Sequence, residues 1–251
     1  MSYAMTGEGF PFIRGACHVV TSHHRIGPAR ARPAVRVRRA RRNIRHAHAD
    51  QRLSVPRHHP DRREAALQGG IEWAHDSGFY AGAWGSSISW LSDSDPDISS
   101  QVELDGYLGV RGDFGDSGVG WDVGAVHYWY PGSYPAGFNK ADTTELYAGL
   151  SWSVLGAKYS YAVTDLFGIP DSDGSSNLDV TVGWEFVPGW SFNGAVGKQW
   201  VAGTAGTATY AFWSAGVSKA FDNGFDLALA WNDNDLIGPD ETITFAVTKS
   251  F

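Results

Sequence analysis

The sequence predicts an all-β fold, an antiparallel up-and-down β-barrel of about 12 strands that crosses a membrane, with 11 strands legible. Three observations carry this. From Leu67 onward apolar and polar residues alternate with a period of two and almost no helical period. Short turns and longer connections follow one another strictly, five of each. The chain closes on an alternating segment, Thr242 to Phe251, whose last residue is aromatic.

The legible strands lie at about 67–74, 79–90, 100–112, 119–130, 142–153, 157–167, 177–187, 190–201, 207–221, 225–235 and 241–251. In 177–187, Leu178, Val180, Val182, Trp184 and Phe186 interleave with Asp179, Thr181, Gly183 and Glu185. The same grammar runs through Phe225–Trp231 and Ile243–Val247. Asp76-Ser77-Gly78, Phe114–Gly118, Leu155-Gly156, Pro188-Gly189 and Asp222-Asn223-Gly224 have the Gly, Asn and Asp content of tight turns. Residues 91–99, 131–141, 168–176, 202–206 and 236–240 are the longer connections. Strict alternation of the two kinds puts turns at one end of a meander and loops at the other.

A soluble sheet and a membrane barrel both accept such a meander. The polar face decides between them: it carries Glu72, Glu103, Asp105, Arg111, Asp122, Glu145, Lys158, Asp179, Glu185 and Asp226, with Gly109, Gly124, Gly149 and Gly183 between them. A charged, small-residue face suits a lumen, and its apolar opposite suits lipid. Strands of about ten residues match a tilted crossing of the hydrocarbon band. Trp90, Trp129, Tyr130, Trp190, Trp200 and Trp231 fall near strand ends, where interfacial aromatic girdles sit. No run of 18 apolar residues exists, so no transmembrane helix is expected. A single Cys excludes a disulfide framework.

Residues 1–66 are a different text. Their 14 Arg and four acids, with no Lys, make +10, whereas six basic residues and 23 acids make −17 over 67–251. All 11 Trp lie in the later part and seven of nine His in the earlier. A basic arm for nucleic acid would mix Lys with Arg and carry more aromatic anchors than Tyr3, Phe10 and Phe12, so no nucleic-acid partner is expected. The alternatives are a disordered tail and translation out of frame. Asp50–Pro60 supports the latter: with permitted codons, dropping one nucleotide converts it to T-S-D-Y-R-F-R-G-I-T, a sensible strand and turn. The division is therefore 1–66, Arg/His-rich and frameshifted or disordered, and 67–251, the barrel. No signal peptide is legible in the chain as written. A barrel over 67–251 is expected, with 1–50 irregular and 51–66 drawn towards the gap between first and last strands.

Leu67-Gln-Gly-Gly-Ile-Glu-Trp73 and His75-Asp-Ser-Gly-Phe-Tyr-Ala-Gly-Ala-Trp-Gly-Ser-Ser87 resemble the opening hairpin of the TorF family of porins. Glu103-Leu-Asp-Gly-Tyr-Leu-Gly-Val110 and Leu146-Tyr-Ala-Gly-Leu-Ser-Trp152 are similar to that family's later strands. The resemblance covers roughly 67–251 and implies a twelve-stranded outer-membrane barrel. The family's first strand is much like the peptide that the shifted frame recovers; here it is replaced.

The function expected is an outer-membrane porin passing small hydrophilic solutes or cations, in a Gram-negative bacterium. The ten polar-face residues are candidate pore-lining groups; eight acids against two bases favour a wet, cation-preferring interior over a dry plug. Arg111 and Lys158 are expected to pair with Glu103, Glu145 or Asp122. The alternative is a closed barrel acting structurally, or binding at the surface through acidic loops. No enzyme is expected, because only His75 and His127 occur in 67–251 and no His-Ser-Asp grouping is legible at the loop end. Asp93, Asp95 and Asp97, with Asp171 and Asp173, are weak loop candidates for calcium; Pro96 and the lack of a closing Glu break the EF-hand spacing. No cofactor is implied. Expected partners are outer-membrane lipid, lipopolysaccharide and the barrel-assembly machinery, the last reading the terminal strand that ends in Phe251.

Overall fold

The computed structural model describes residues 45–56, 65–203, 209–235 and 241–251, with backbone alone for 45–56 and 65. Twelve strands run in chain order: β1 Arg45–Pro56, β2 Ala65–Ala74, β3 Phe79–Ser87, β4 Val102–Asp113, β5 Val119–Trp129, β6 Thr143–Trp152, β7 Leu155–Ala162, β8 Ser176–Val187, β9 Trp190–Trp200, β10 Tyr210–Ala220, β11 Phe225–Asn234 and β12 Thr242–Ser250. Each pairs antiparallel with the next from β2 to β12, an eleven-stranded meander. β2 and β12 do not pair with each other; β1 lies between them and completes the ring, Gln51 facing Leu67 on one side and Val247 on the other.

This corrects the expectation for the head of the chain. Residues 45–50, expected to be irregular, belong to a strand, and the segment filling the gap starts six residues before residue 51. The reason lies in the edges: unpaired backbone donors and acceptors of β2 and β12 require a partner, and any extended backbone supplies one. The rest of 1–44 and 57–64 lies outside the described residues.

Alternation sends large apolar side chains outward on every strand from β2 to β12, as at Leu67, Leu108, Leu146, Val196, Leu229 and Phe245. A water-facing sheet would not present such a continuous apolar belt. Lysines mark its rims. Lys198 lies 5.6 Å from the Trp200 ring near the loop end, and Lys219 lies 5.3 Å from Trp190 near the turn end. Lys249 lies 4.9 Å from Phe225 and 5.4 Å from Phe251. Cations beside aromatic rings at the edges of an apolar band suit a membrane interface. Four of the short turns hold their expected places. The fifth, expected at Leu155-Gly156, is corrected to Ser153-Val154, because Leu155 and Gly156 already pair with Trp152 and Ser151 as the first residues of β7. Gly78, at φ 90°, is required in the β2–β3 turn because a Cβ would stand 2.1 Å from the Arg111 carbonyl oxygen.

Two expectations for the loop end are corrected. The strand drawn to residue 90 stops at Ser87, and Trp90–Ser94 forms a short helix, α1. The strand drawn to residue 167 stops at Ala162. In both places apolar residues continue beyond the sheet because they bury themselves in a loop cluster. Trp90, Leu91, Ile98, Tyr128, Tyr130 and Ala141 form its core, with Phe138 and Phe167 packed against it. Trp90 meets Tyr130 edge-to-face at 5.5 Å, and Tyr128 meets Phe167 at 5.4 Å. Trp90 and Tyr130, expected in a girdle, instead point into this cap. Trp129, Trp190 and Trp200 face outward as expected.

Candidate functional site: the barrel lumen

All ten candidate lining residues fall on the inner face, in the register positions that alternate with the outward apolar belt. They do not line it evenly. On β3–β7 the interior is filled by tyrosines and carboxylates; on β10–β12 it is lined by small residues such as Ser214, Gly216, Ala230, Thr244 and Ala246, which stay partly accessible. The interior is therefore uneven, with one dense wall and one thin wall.

Opposed glycines make the dense wall possible. Tyr80 on β3 faces Gly109 on β4, Tyr107 faces Gly82, Tyr147 on β6 faces Gly124 on β5, and Phe212 on β10 faces Gly197 on β9. A Cβ at Gly82 would stand 2.4 Å from the Tyr107 ring, and one at Gly197 would stand 2.2 Å from Phe212. Each ring lies flat over the space a side chain would need. Of the glycines read from the sequence as small lining, Gly109 and Gly124 are floors on which inward aromatics rest, whereas Gly149 lies between Asp122 and Lys158 and Gly183 faces Asn193. Gly82 and Gly197 are floors that the sequence reading did not single out.

Tyr80, with no exposed surface, organises the centre of this wall. Its hydroxyl donates to Asp122 Oδ1 at 2.6 Å and also meets the Tyr147 hydroxyl. The Arg111 guanidinium lies 4.5 Å from the Tyr80 ring centroid and donates to Glu72 Oε1 at 2.6 Å. The expected pairing of Arg111 with Glu103, Glu145 or Asp122 is therefore corrected. Tyr80 takes the Asp122 carboxylate, and β2 brings Glu72 to the guanidinium. Lys158 stands opposite Asp179 in the β7–β8 register, and its ammonium lies 5.9 Å from the Tyr147 ring. Asn177 donates to Asp179 Oδ2 at 2.8 Å.

Nearer the loop end, Tyr130 donates to Glu103 Oε2 at 2.6 Å, and Tyr128 reaches Glu145 Oε2 at 3.5 Å. Burial, with the Glu103 carboxylate beside it, pushes the Tyr130 phenol well above its ordinary pKa, so it remains a neutral donor. Asp105 sits between these groups with Oδ1 buried and unbonded. Near the turn end the pattern differs: Glu185 accepts from the Gly189 amide at 2.8 Å, a bond local to its own turn.

The loop acids do not converge. Asp93 accepts from Ser89 Oγ at 3.0 Å and Asp95 from the Asp97 amide at 2.9 Å, bonds local to α1 and its exit. Among the described residues no group of three or more His, Cys, Asp or Glu is placed to hold a metal. The histidines lie away from the lumen groups. His75 bonds Ser77 at the β2–β3 turn, at 2.9 Å. His127 bonds Thr144 Oγ1 at 2.9 Å on the outward face, a hydroxyl–imidazole pair that sequence reasoning missed because it joins two strands. No carboxylate of a described residue is bonded to either ring.

The ring of antiparallel strands, outward apolar belt and charged interior define the class: an outer-membrane-type β-barrel. Solved structures bear this out at the level of fold. A KdgM porin superposes with TM-score 0.54 at 10% identity, over 81% of this chain and 99% of that one. A NanC porin superposes with TM-score 0.54 at 11% identity, over 82% and 98%. The outer membrane phospholipase A from Escherichia coli gives 0.52 at 14% identity, over 82% and 97%, so the same fold carries channels and an enzyme. No curated protein matches the chain in sequence. The chain belongs to the family described as bacterial protein of unknown function (Gcw_chp), whose model matches residues 60–250.

Proposed function

We propose that this protein is an outer-membrane pore, of the TorF type that Leu67–Ser87 resembles, passing small hydrophilic solutes and preferring cations, with no cofactor. The observation that carries the reading is the inner wall. Glu103, Asp105, Asp122, Glu145 and Asp179 are buried on the inner face of the barrel, where Arg111 is engaged by Glu72. Carboxylates in excess attract cations and repel anions from a narrow passage, and the thin wall of β10–β12 leaves room for water beside them. The channels among the structural neighbours support this reading through their fold alone. The apolar belt would contact outer-membrane lipid and lipopolysaccharide, and the strand ending at Phe251 would be read by the barrel-assembly machinery.

The loop cap favours a second reading, a closed barrel that serves structurally or binds through its loops. Trp90, Tyr130 and Phe167 roof the dense wall, and a roof continued across the lumen would stop flow. Planar-bilayer recording on the full chain, refolded into lipid, separates the two. Discrete steps support the pore, and their absence at every voltage supports the closed barrel.

A further inference from the structure

Glu103 and Asp105 lie two residues apart on the inner face of β4, directly beneath the loop cap. They are 4% and 8% exposed. Tyr130 holds Glu103 from the loop side, while Trp84 and Tyr128 flank Asp105 in the strand register. No salt bridge reaches either carboxylate among the described residues; the guanidinium of β4 itself, Arg111, is bonded to Glu72. It also starts six residues along the strand from Asp105, roughly 20 Å away at about 3.3 Å per residue.

One oxygen of this pair is orphaned. Asp105 Oδ1 is buried with no hydrogen-bond partner. A buried, unpaired carboxylate beside a second one is costly, because desolvation and mutual repulsion add. Something positive must neutralise the pair whenever both are ionised. We propose that Glu103 and Asp105 bind a divalent, oxygen-seeking cation under the loop cap. The proposal deepens the pore reading by naming what the acidic wall holds, and it rests on that reading for its access to water.

The donor chemistry selects the class. Two carboxylates and a phenol supply only oxygen, which suits calcium- or magnesium-like ions and disfavours metals that prefer nitrogen or sulfur. Two carboxylates match a charge of two. Water would complete the coordination, because such ions take about six to eight oxygens and the two carboxylates and the phenol supply only part of them. Ions held this way bind reversibly, as a step along a permeation path requires.

Terbium luminescence tests the site, since Trp84, Tyr128 and Tyr130 flank it and can sensitise a bound lanthanide. The full chain, refolded in detergent micelles, is titrated with terbium under aromatic excitation and then with calcium. The expected result is one saturable component displaced by calcium. It should weaken at least tenfold in Asp105→Asn and in Glu103→Gln, and persist in a D93N/D95N/D97N variant. The heat-dependent shift of the folded band on gels confirms that each variant is a barrel; if D105N does not fold, E103Q decides. A wild-type curve in the folded variant overturns the proposal, as does the absence of a calcium-displaced component in the wild type. Either would mean that the pair shares a proton instead. Bilayer recordings on the same preparation keep the two readings apart. Binding without conductance sinks the pore and leaves the site; conductance without binding does the reverse.

Discussion

Removing the Tyr80 hydroxyl isolates one link in the dense wall. Tyr80→Phe keeps the ring that covers Gly109 and stacks beneath Arg111, but deletes the donor to Asp122 Oδ1 and the contact with Tyr147. A hydrogen bond to a charged group contributes about 1.5–3 kcal/mol, and Tyr80 is fully buried, so solvent does not replace it. We expect Y80F to lose about 2 kcal/mol of folding free energy. Tyr80→Ala also loses the ring, and buried aromatic truncations cost about 3–5 kcal/mol, so it should be worse. The assay is reversible urea unfolding in lipid vesicles, followed by tryptophan emission, with Asp122→Asn completing a double-mutant cycle. A coupling near zero between Tyr80 and Asp122, or a Y80F midpoint equal to wild type at equal slope, would refute the reasoning. Either result would mean that water already serves the carboxylate.

Gly109→Ala places a Cβ 2.5 Å from the Tyr80 hydroxyl and 2.7 Å from the Val123 carbonyl, so the same unfolding assay should show a loss of about 1–3 kcal/mol. A neutral G109A would show that the ring can lift off its floor. Glu72→Gln frees Arg111; this partly exposed pair should change stability by less than about 1 kcal/mol, yet cation preference should fall in reversal-potential measurements. Unchanged selectivity would remove Arg111 from the passage. Trp90→Ala loosens the cap and should raise single-channel conductance, whereas an unaltered step size would place the constriction elsewhere. Deleting Arg45–Pro56 leaves two strand edges in hydrocarbon, at several kcal/mol per unsatisfied group, so no heat-shifted band should form.

The strands were legible because the pleat imposes period two on a sheet between lipid and water. Leu178, Val180 and Val182 against Asp179 and Thr181 read directly as outside and inside. Turn chemistry located four of the five tight ends for the same local reason. The β6–β7 turn, Ser153-Val154, carries no Gly, Asn or Asp, and the glycine that suggested it, Gly156, lies in the strand. The dense wall was hidden, because a tyrosine can face either way. Tyr80 turns inward owing to Gly109, 29 positions later in the chain, and only the β3–β4 register reveals the pairing. Once strands are aligned, a ring opposite a glycine on the polar face is the missed signal. The cap was hidden differently: Trp90 and Phe167 continue an apolar alternation past the last ladder bond, so they read as strand. β1 escaped the pattern, since its sequence does not alternate as the other strands do and only the pairing with β2 and β12 reveals its place.

The proposed water-filled, cation-preferring barrel carries a definite electrical signature. The most direct measurement is the reversal potential of the full chain in a planar bilayer under a potassium chloride gradient. Discrete conductance steps that reverse at a potential of the sign set by potassium are expected, moving towards zero when Glu103 and Asp105 are neutralised together. A reversal of the chloride sign, or a folded barrel that carries no current at any voltage, would contradict the account.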